Sequence, residues 1–185
     1  MHIIKSAGKF YYKLKGFYPV VIDGQKFRCD PNHLGFWRLV NKGKFEPFFY
    51  QILKKYLNEN SVYCDIGSWI GPTVLYASRL CKKVYCFEPD TIAYDFLLQN
   101  IGLNKLQNVN PFNLAIGLSD GTIKMASHGG NPGDSMTSMV NIDQYKNFLS
   151  ADSLKWQTWL EKQKPGRIDF LKIDIEGGEF VLLPA

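Results

Sequence analysis

Residues 61–72 read S-V-Y-C-D-I-G-S-W-I-G-P, and residues 83–89 read K-V-Y-C-F-E-P. Together they spell strand, glycine turn, helix, strand, with a carboxylate closing each strand, Asp65 on the first and Glu88 on the second. An α/β domain presents a nucleoside-bearing cofactor in this way. Val62, Cys64 and Ile66 alternate with Tyr63 and Asp65, and Tyr63 is itself largely apolar. Such a strand is apolar on both faces and belongs at the centre of a parallel sheet. Pro72 stands where a helix can start without an N–H partner, and Thr73 to Leu80 can continue that helix. After Glu88, Asp90 is placed to cap a helix from Thr91 to Ile101, with Gly102 at its C′ position.

The turn between the two strands carries the chemistry. Gly67 and Gly71 allow a sharp bend and a close approach, and the turn's N–H groups are expected to face the ligand. A diphosphate-binding dinucleotide site wants G-x-G-x-x-G, whereas three residues separate these glycines and Trp69 holds the place of a middle glycine. That spacing argues against NAD. A carboxylate just before the first glycine suits a cationic ligand, and S-adenosylmethionine carries both an ammonium and a sulfonium. Glu88 follows Asp65 by 23 positions, and a carboxylate about 20 residues past the turn accepts hydrogen bonds from ribose hydroxyls. The plain alternative is that both carboxylates are polar strand ends that cap neighbouring helices.

Outward from this core, Val20 to Cys29 has the Asp-Gly signature of a β-hairpin. From Phe45 to Leu57, Phe48, Phe49, Ile52, Leu53, Tyr56 and Leu57 recur at helical steps, so a helix should cover the sheet here. Gln107 to Phe112 and Asn113 to Gly117 form a third strand ending in N-L-A-I-G, and a turn at Ser119-Asp120-Gly121 leads into Thr122 to Ala126. The run from Ser127 to Met139, S-H-G-G-N-P-G-D-S-M-T-S-M, reads as a mobile loop. Tyr145 to Trp159 is compatible with a helix, Pro165-Gly166 breaks it, and Ile168 to Ile175 is a strong strand. Four core strands are fewer than a doubly wound sheet usually has, so the domain reads as truncated after the fourth.

With 185 residues, 45% of them hydrophobic, the chain is sized for one core. Its net charge of +5 mildly favours anionic partners without choosing among them. Cys29, Cys64, Cys81 and Cys86 lack the paired spacing of a zinc site and read as buried reduced thiols. Neither a signal-peptide core nor a membrane-spanning apolar run is evident, which points to a soluble, cytoplasmic protein. The N-terminus interleaves Lys5, Lys9, Lys13 and Lys15 with Phe10, Tyr11, Tyr12 and Leu14. It reads either as a docked or frayed basic terminus or as a weak contact with an anionic membrane surface.

Four motifs in order, V-Y-C-D-I-G-S-W-I-G, V-Y-C-F-E-P-D, N-L-A-I-G-L-S-D-G and I-D-F-L-K-I-D-I-E-G-G-E, resemble the FkbM-type S-adenosylmethionine-dependent methyltransferases. The resemblance runs from Gly43-Lys44-Phe45-Glu46 to the chain end. It implies a Rossmann-like class I methyltransferase sheet, mostly parallel and doubly wound, over 45–185, behind a lead-in of 1–44. It also implies S-adenosylmethionine as cofactor: Asp65, Gly67, Ser68 and Gly71 at the methionine end, Glu88 at the ribose, and Asn113, Leu114 and Ala115 on the adenine side. Where the family has a small residue and Asn in the turn, this chain has Ser68 and Trp69, and the indole is expected to pack beneath the following helix.

Asp174 and Glu176 end the fourth strand at the carboxyl edge, where open α/β sheets bind ligands. Methyl transfer to an alcohol needs orientation and a base for the hydroxyl proton. Asp174 is the first choice for that base and Glu176 the second, although Glu176 serves equally well to hold the Gly177-Gly178 turn. His128 is a loop histidine, Glu179 suits the first turn of a last helix, and no metal-ligand set is evident. The resemblance implies an acceptor hydroxyl on a saccharide, a glycan-linked precursor or a small molecule. The other readings are a non-catalytic cofactor- or partner-binding domain, a nicotinamide oxidoreductase, and nucleic-acid binding. The glycine spacing disfavours the oxidoreductase, and no recognised RNA-binding motif supports nucleic acid.

Overall fold

Two β-strands with buried interiors and short, capped helices between them build the centre of the molecule, here described from a computed structural model covering residues 2–127, 137–138, 148–175 and 179–182. The chain begins with α1 (His2–Lys15), which ends where Gly16 turns left-handed. The hairpin β1 (Tyr18–Ile22) and β2 (Gln25–Cys29) follows, and both Asp23 and Gly24 take positive φ, as the tight primed turns demand. Next come α2 (Leu34–Asn41) and α3 (Pro47–Tyr56).

The core unit is β3 (Val62–Ile66), α4 (Pro72–Ala77), β4 (Lys83–Phe87), α5 (Thr91–Leu103) and β5 (Val109–Phe112). It is followed by β6 (Ala115–Gly117), β7 (Gly121–Ser127), β8 (Thr137–Ser138), β9 (Phe148–Lys155), α6 (Trp156–Gln163), β10 (Phe170–Ile173) and α7 (Glu179–Leu182).

The main sheet is parallel throughout, in the order β10-β3-β4-β5. Strands β3, β4 and β5 step outward on one side and β10 lies on the other, so strand order reverses between β3 and β10. The fold is α/β and Rossmann-like, and that reversal opens a crevice at the carboxyl ends of the strands. β3 and β4 are buried on both faces, as central parallel strands must be. One face holds Tyr63, Val84 and Cys86 against α4 and the hairpin, in a cluster that includes Val20, Phe27, Trp37 and Leu53. The lead-in thus shares its core with the domain behind it. The other face holds Cys64, Ile66, Tyr85 and Phe87 against Trp159 of α6, with Trp159 edge-on to Tyr85 at 5.2 Å and Phe87 at 5.0 Å. All four cysteines are free and buried.

Several elements depart from the sequence reading. Residues 148–155, read as part of a helix, form β9, which pairs antiparallel with β7 in a second four-stranded sheet of order β6-β9-β7-β8. Ala151 and Ser153 turn inward while Asp152 turns out, a period of two that short, mixed-polarity side chains made easy to miss. The expected single strand 107–117 is two: β5 stays in the main sheet and β6 crosses to the second.

Helix α2 was not anticipated. Helix α3 buries Tyr50 and Leu53, while Phe48, expected on the inner face, is 83% exposed. Helix α5 runs through Gly102 to Leu103, and Lys105 takes the left-handed position in its place. The Asp90 cap forms as expected, accepting from the N–H groups of Ile92 at 2.8 Å and Ala93 at 3.2 Å. The loop reading falls mainly on residues outside the described set, as do His128, Glu176 and the Gly177-Gly178 turn.

Candidate active site

Four adjacent strand ends converge at the crevice: Asp65 and Gly67 from β3, Glu88 after β4, Asn113 after β5 and Asp174 after β10. The ends of β3 and β10 are tied together by Lys172, a residue to which the sequence reading gave no role. Lys172 sits directly across from Asp65 in the β10–β3 register and two positions before Asp174, so all three share one face of the sheet. Its ammonium lies 3.3 Å from Asp65 Oδ1 and 3.1 Å from Asp174 Oδ2, and donates to the Gly67 carbonyl at 3.3 Å. Burial alone would lower the Lys172 pKa, but the charges of Asp65 and Asp174 and their hydrogen bonds outweigh it and hold it above the ordinary lysine value. A lysine inside an otherwise apolar strand is costly unless paired, and K-I-D-I carried that signal.

Asp65 is fully enclosed. Beside Lys172 it accepts from the Tyr63 hydroxyl at 3.0 Å and from the Thr73 hydroxyl. Its negative charge therefore meets a cation of its own chain. Asp174 is the open end of this chain of charges, with its side chain 52% exposed. Glu46, the left-handed N-cap of α3, borders the same group. Burial raises its pKa, with Lys172 opposing and Asp174 and Asp65 adding to the effect.

The N–H groups of the glycine turn, expected to face the ligand, bond inside the protein instead. The N–H groups of Gly67 and Ser68 both donate to the Phe87 carbonyl, at 3.1 and 3.0 Å, Gly71 donates to the Ser68 carbonyl at 2.9 Å, and Trp69 donates to Glu88 Oε2 at 2.8 Å. These four N–H groups are thus taken up within the protein, which agrees with the spacing argument against a diphosphate. Gly67 has φ 82°, and a Cβ there would run into the Asp174 carbonyl of the neighbouring strand. At Gly71, with φ 89°, a Cβ would meet Leu97 of α5 at 2.5 Å. Gly67 needs glycine because the neighbouring backbone leaves no room, and Gly71 because its φ lies in the left-handed region. The Ser68 hydroxyl also binds the Phe87 carbonyl, at 3.1 Å. Trp69 packs edge-on against Phe36 of α2 at 4.6 Å and His33 at 5.6 Å, and against the buried cluster that includes Val74 and Leu75 of α4.

Among the described carboxylates of the crevice, Glu88 is the most perturbed. Only 7% exposed, it is pushed up to about 7 by burial, with N–H donors from Asp90 and Trp69 opposing and the charges of Asp90 and Asp65 adding. Its two oxygens accept from Trp69 at 2.8 Å and Asp90 at 2.9 Å, which leaves lone pairs on both for further donors. Asn113 locks the loop behind it, donating to the carbonyls of Glu88 at 2.8 Å and Pro89 at 3.1 Å. Ala115 is buried in β6. Glu179 accepts from the Ile175 N–H at 2.6 Å, tying α7 to the end of β10. Beside the ends of β3 and β10, on the α6 face, an open hollow of about 500 Å³ is lined by Ile66, Ile116, Gly117, Lys155, Trp156 and Ile173.

The Methyltransferase FkbM domain matches residues 65–184 of this chain, from the carboxylate of the first core strand onward. The chain belongs to the FkbM methyltransferase family. Methyltransferase sdnD of Sordaria araneosa is 26% identical over 69% of this chain and 61% of its own length. The tRNA (guanine(37)-N(1))-methyltransferase 2 of Arabidopsis thaliana is 36% identical over 31% of this chain and 9% of its own. The chain thus spans 61% or less of these curated relatives. Among solved structures, TYW2 of M. jannaschii in complex with AdoMet is 27% identical, covering 57% of this chain and 48% of that one with a TM-score of 0.39.

The cofactor of the FkbM family is S-adenosylmethionine, and the crevice fits its nucleoside end. Glu88 keeps lone pairs free for hydroxyl donors such as those of a ribose.

Proposed function

We propose that this chain transfers a methyl group from S-adenosylmethionine to a hydroxyl of a saccharide, a glycan-linked precursor or a small molecule. The observation that carries the reading is the Asp65–Lys172–Asp174 chain of charges, which runs from a sealed carboxylate to an open one at the strand reversal. When bound, the cofactor supplies an electrophilic methyl on sulfur. Glu88 would hold the ribose, and Asp65, by fixing Lys172, would fix the direction of Asp174. Asp174 would accept the hydroxyl proton as the acceptor oxygen forms its new bond to carbon and the carbon–sulfur bond breaks, with the electron pair left on sulfur. Orientation of the acceptor against Asp174 is then the larger share of catalysis.

A saccharide suits the neighbouring hollow, because Trp156 offers an aromatic wall while Lys155 and Gln157 supply donors at its margin. Calorimetric titration with S-adenosylmethionine, S-adenosylhomocysteine and NAD tests the cofactor. Binding of NAD with no heat from either sulfur ligand would overturn the proposal. Radiolabelled methyl transfer to a panel of saccharide and other hydroxyl acceptors tests the acceptor class. Transfer confined to nitrogen acceptors would replace it.

A further inference from the structure

At the edge of the sheet where the strands begin, opposite the crevice, lies a second concavity of about 370 Å³. Lys26, Arg28, Arg79 and Lys105 line it with Phe17 and Phe27. Its charge is entirely positive, and among the described residues none of these four cations forms an ion pair. Two of them are held on rings instead: the Arg28 guanidinium lies 4.9 Å from the centre of Phe17, and that of Arg79 5.7 Å from Phe27. A guanidinium resting on an aromatic face is pre-positioned while its in-plane N–H groups stay free for phosphate oxygens. Arg28, Arg79, Lys26 and Lys105 are all exposed, so nothing in the fold requires their charges there.

Helix α1 ends beside the pocket, two residues before Phe17. Phe17 also carries Lys15, whose ammonium sits 4.7 Å from the ring centre. Helix α1 rests on the protein through Gly8, next to Arg38 of α2, and through Tyr12, edge-on to Tyr18 at 4.8 Å. On the far side of the helix Phe10 is 64% exposed and Leu14 74% exposed, one turn apart, with Lys9 and Lys13 beside them. An exposed apolar stripe flanked by lysines is the pattern of a helix lying in a membrane interface. A binding surface for soluble polyanions has no use for the stripe.

We propose that the Arg28–Arg79 pocket binds the phosphate of an anionic lipid headgroup while Phe10 and Leu14 of α1 enter the interface, seating the domain on an anionic membrane with its crevice at the opposite edge. This site is independent of the methyl-transfer reading.

The test is flotation of the full chain with vesicles of phosphatidylcholine alone or with about one third phosphatidylglycerol. Binding is expected only to the anionic vesicles and is lost in about 1 M salt, where the screening length falls to about 3 Å. Arg28→Gln with Arg79→Gln should weaken it about 25-fold, at about fivefold per charge. Phe10→Ser with Leu14→Ser should weaken it at least tenfold with every cation intact. All four positions are exposed, and circular dichroism confirms that the variants fold. Equal binding to both vesicle types overturns the proposal. So does binding that ignores the Phe10 and Leu14 changes, or RNA bound more tightly than vesicles through the same arginines.

Discussion

Lowering the pH from about 8 to about 6 should weaken S-adenosylmethionine binding roughly tenfold, and Glu88 should be the cause. Its carboxyl is pushed up to about 7 by burial, despite the Asp90 and Trp69 N–H donors that favour the charged form. Ribose hydroxyls donate best to a carboxylate, so the cofactor selects the ionised protein. With a pKa near 7, about nine-tenths of the sites are ionised at pH 8 and about one-tenth at pH 6, which sets the tenfold ratio.

The same shift acts on stability. Raised from 4.5 to about 7, the group stabilises the fold most below pH 4.5, and that contribution is lost as pH rises through 7. The span of about 2.5 units corresponds to roughly 3 kcal/mol. The apoprotein's melting temperature should therefore carry a falling component between about pH 5 and 7, and the cofactor's stabilising shift should grow across the same window. Calorimetric affinities and thermal melts of wild type and Glu88→Gln, each taken across this range, isolate the effect, since the ratio of the two proteins removes the cofactor's own titration. A wild-type to variant affinity ratio that does not change with pH would refute the reasoning.

Replacing Lys172 by Met should leave Asp65 as a buried, uncompensated charge and cost about 3–5 kcal/mol in urea unfolding, and adding Asp65→Asn should recover part of that loss. Gly67→Ala combines a left-handed φ with a collision against β10, so a loss of roughly 2–4 kcal/mol is expected by the same assay. Asn100→Ala strips the partners from the Asp30 N–H and the Ile70 carbonyl, which it meets at 2.7 and 2.9 Å; a loss of about 2–4 kcal/mol should follow, and an unchanged midpoint would deny those bonds their weight. Asp174→Asn should leave cofactor affinity within about twofold while suppressing methyl transfer by about 100-fold or more, and equal turnover would remove Asp174 as the base.

Residues 61–89 were legible in isolation because local chemistry alone specifies them. Four apolar residues in five make a central strand, Pro72 is placed to begin a helix, and Asp90 caps one whatever lies beyond. The parallel order and the reversal beside β3 follow from the same units, since short strand–helix–strand links admit few arrangements. Strand β9 was not legible, because F-L-S-A-D-S-L-K has no strong period and becomes a strand only when β7 is there to pair with it. The inner face of α3 was misjudged for a related reason: Phe48 and Leu53 look alike in sequence, and only the position of the sheet decides which is covered.

The carboxylates Asp65, Glu88 and Asp174 were all visible as strand ends from the chain alone, together with the family they resemble. What each one does was not. Lys172 neutralises Asp65 across a strand pair separated by more than a hundred residues, and burial raises Glu88 toward neutrality. Gly67 is required by the neighbouring strand and Gly71 by its left-handed backbone. Charge and glycine patterns are local and are written in the sequence; solvation and the identity of the nearest counter-charge depend on which distant segments pack together, and those belong to the tertiary structure.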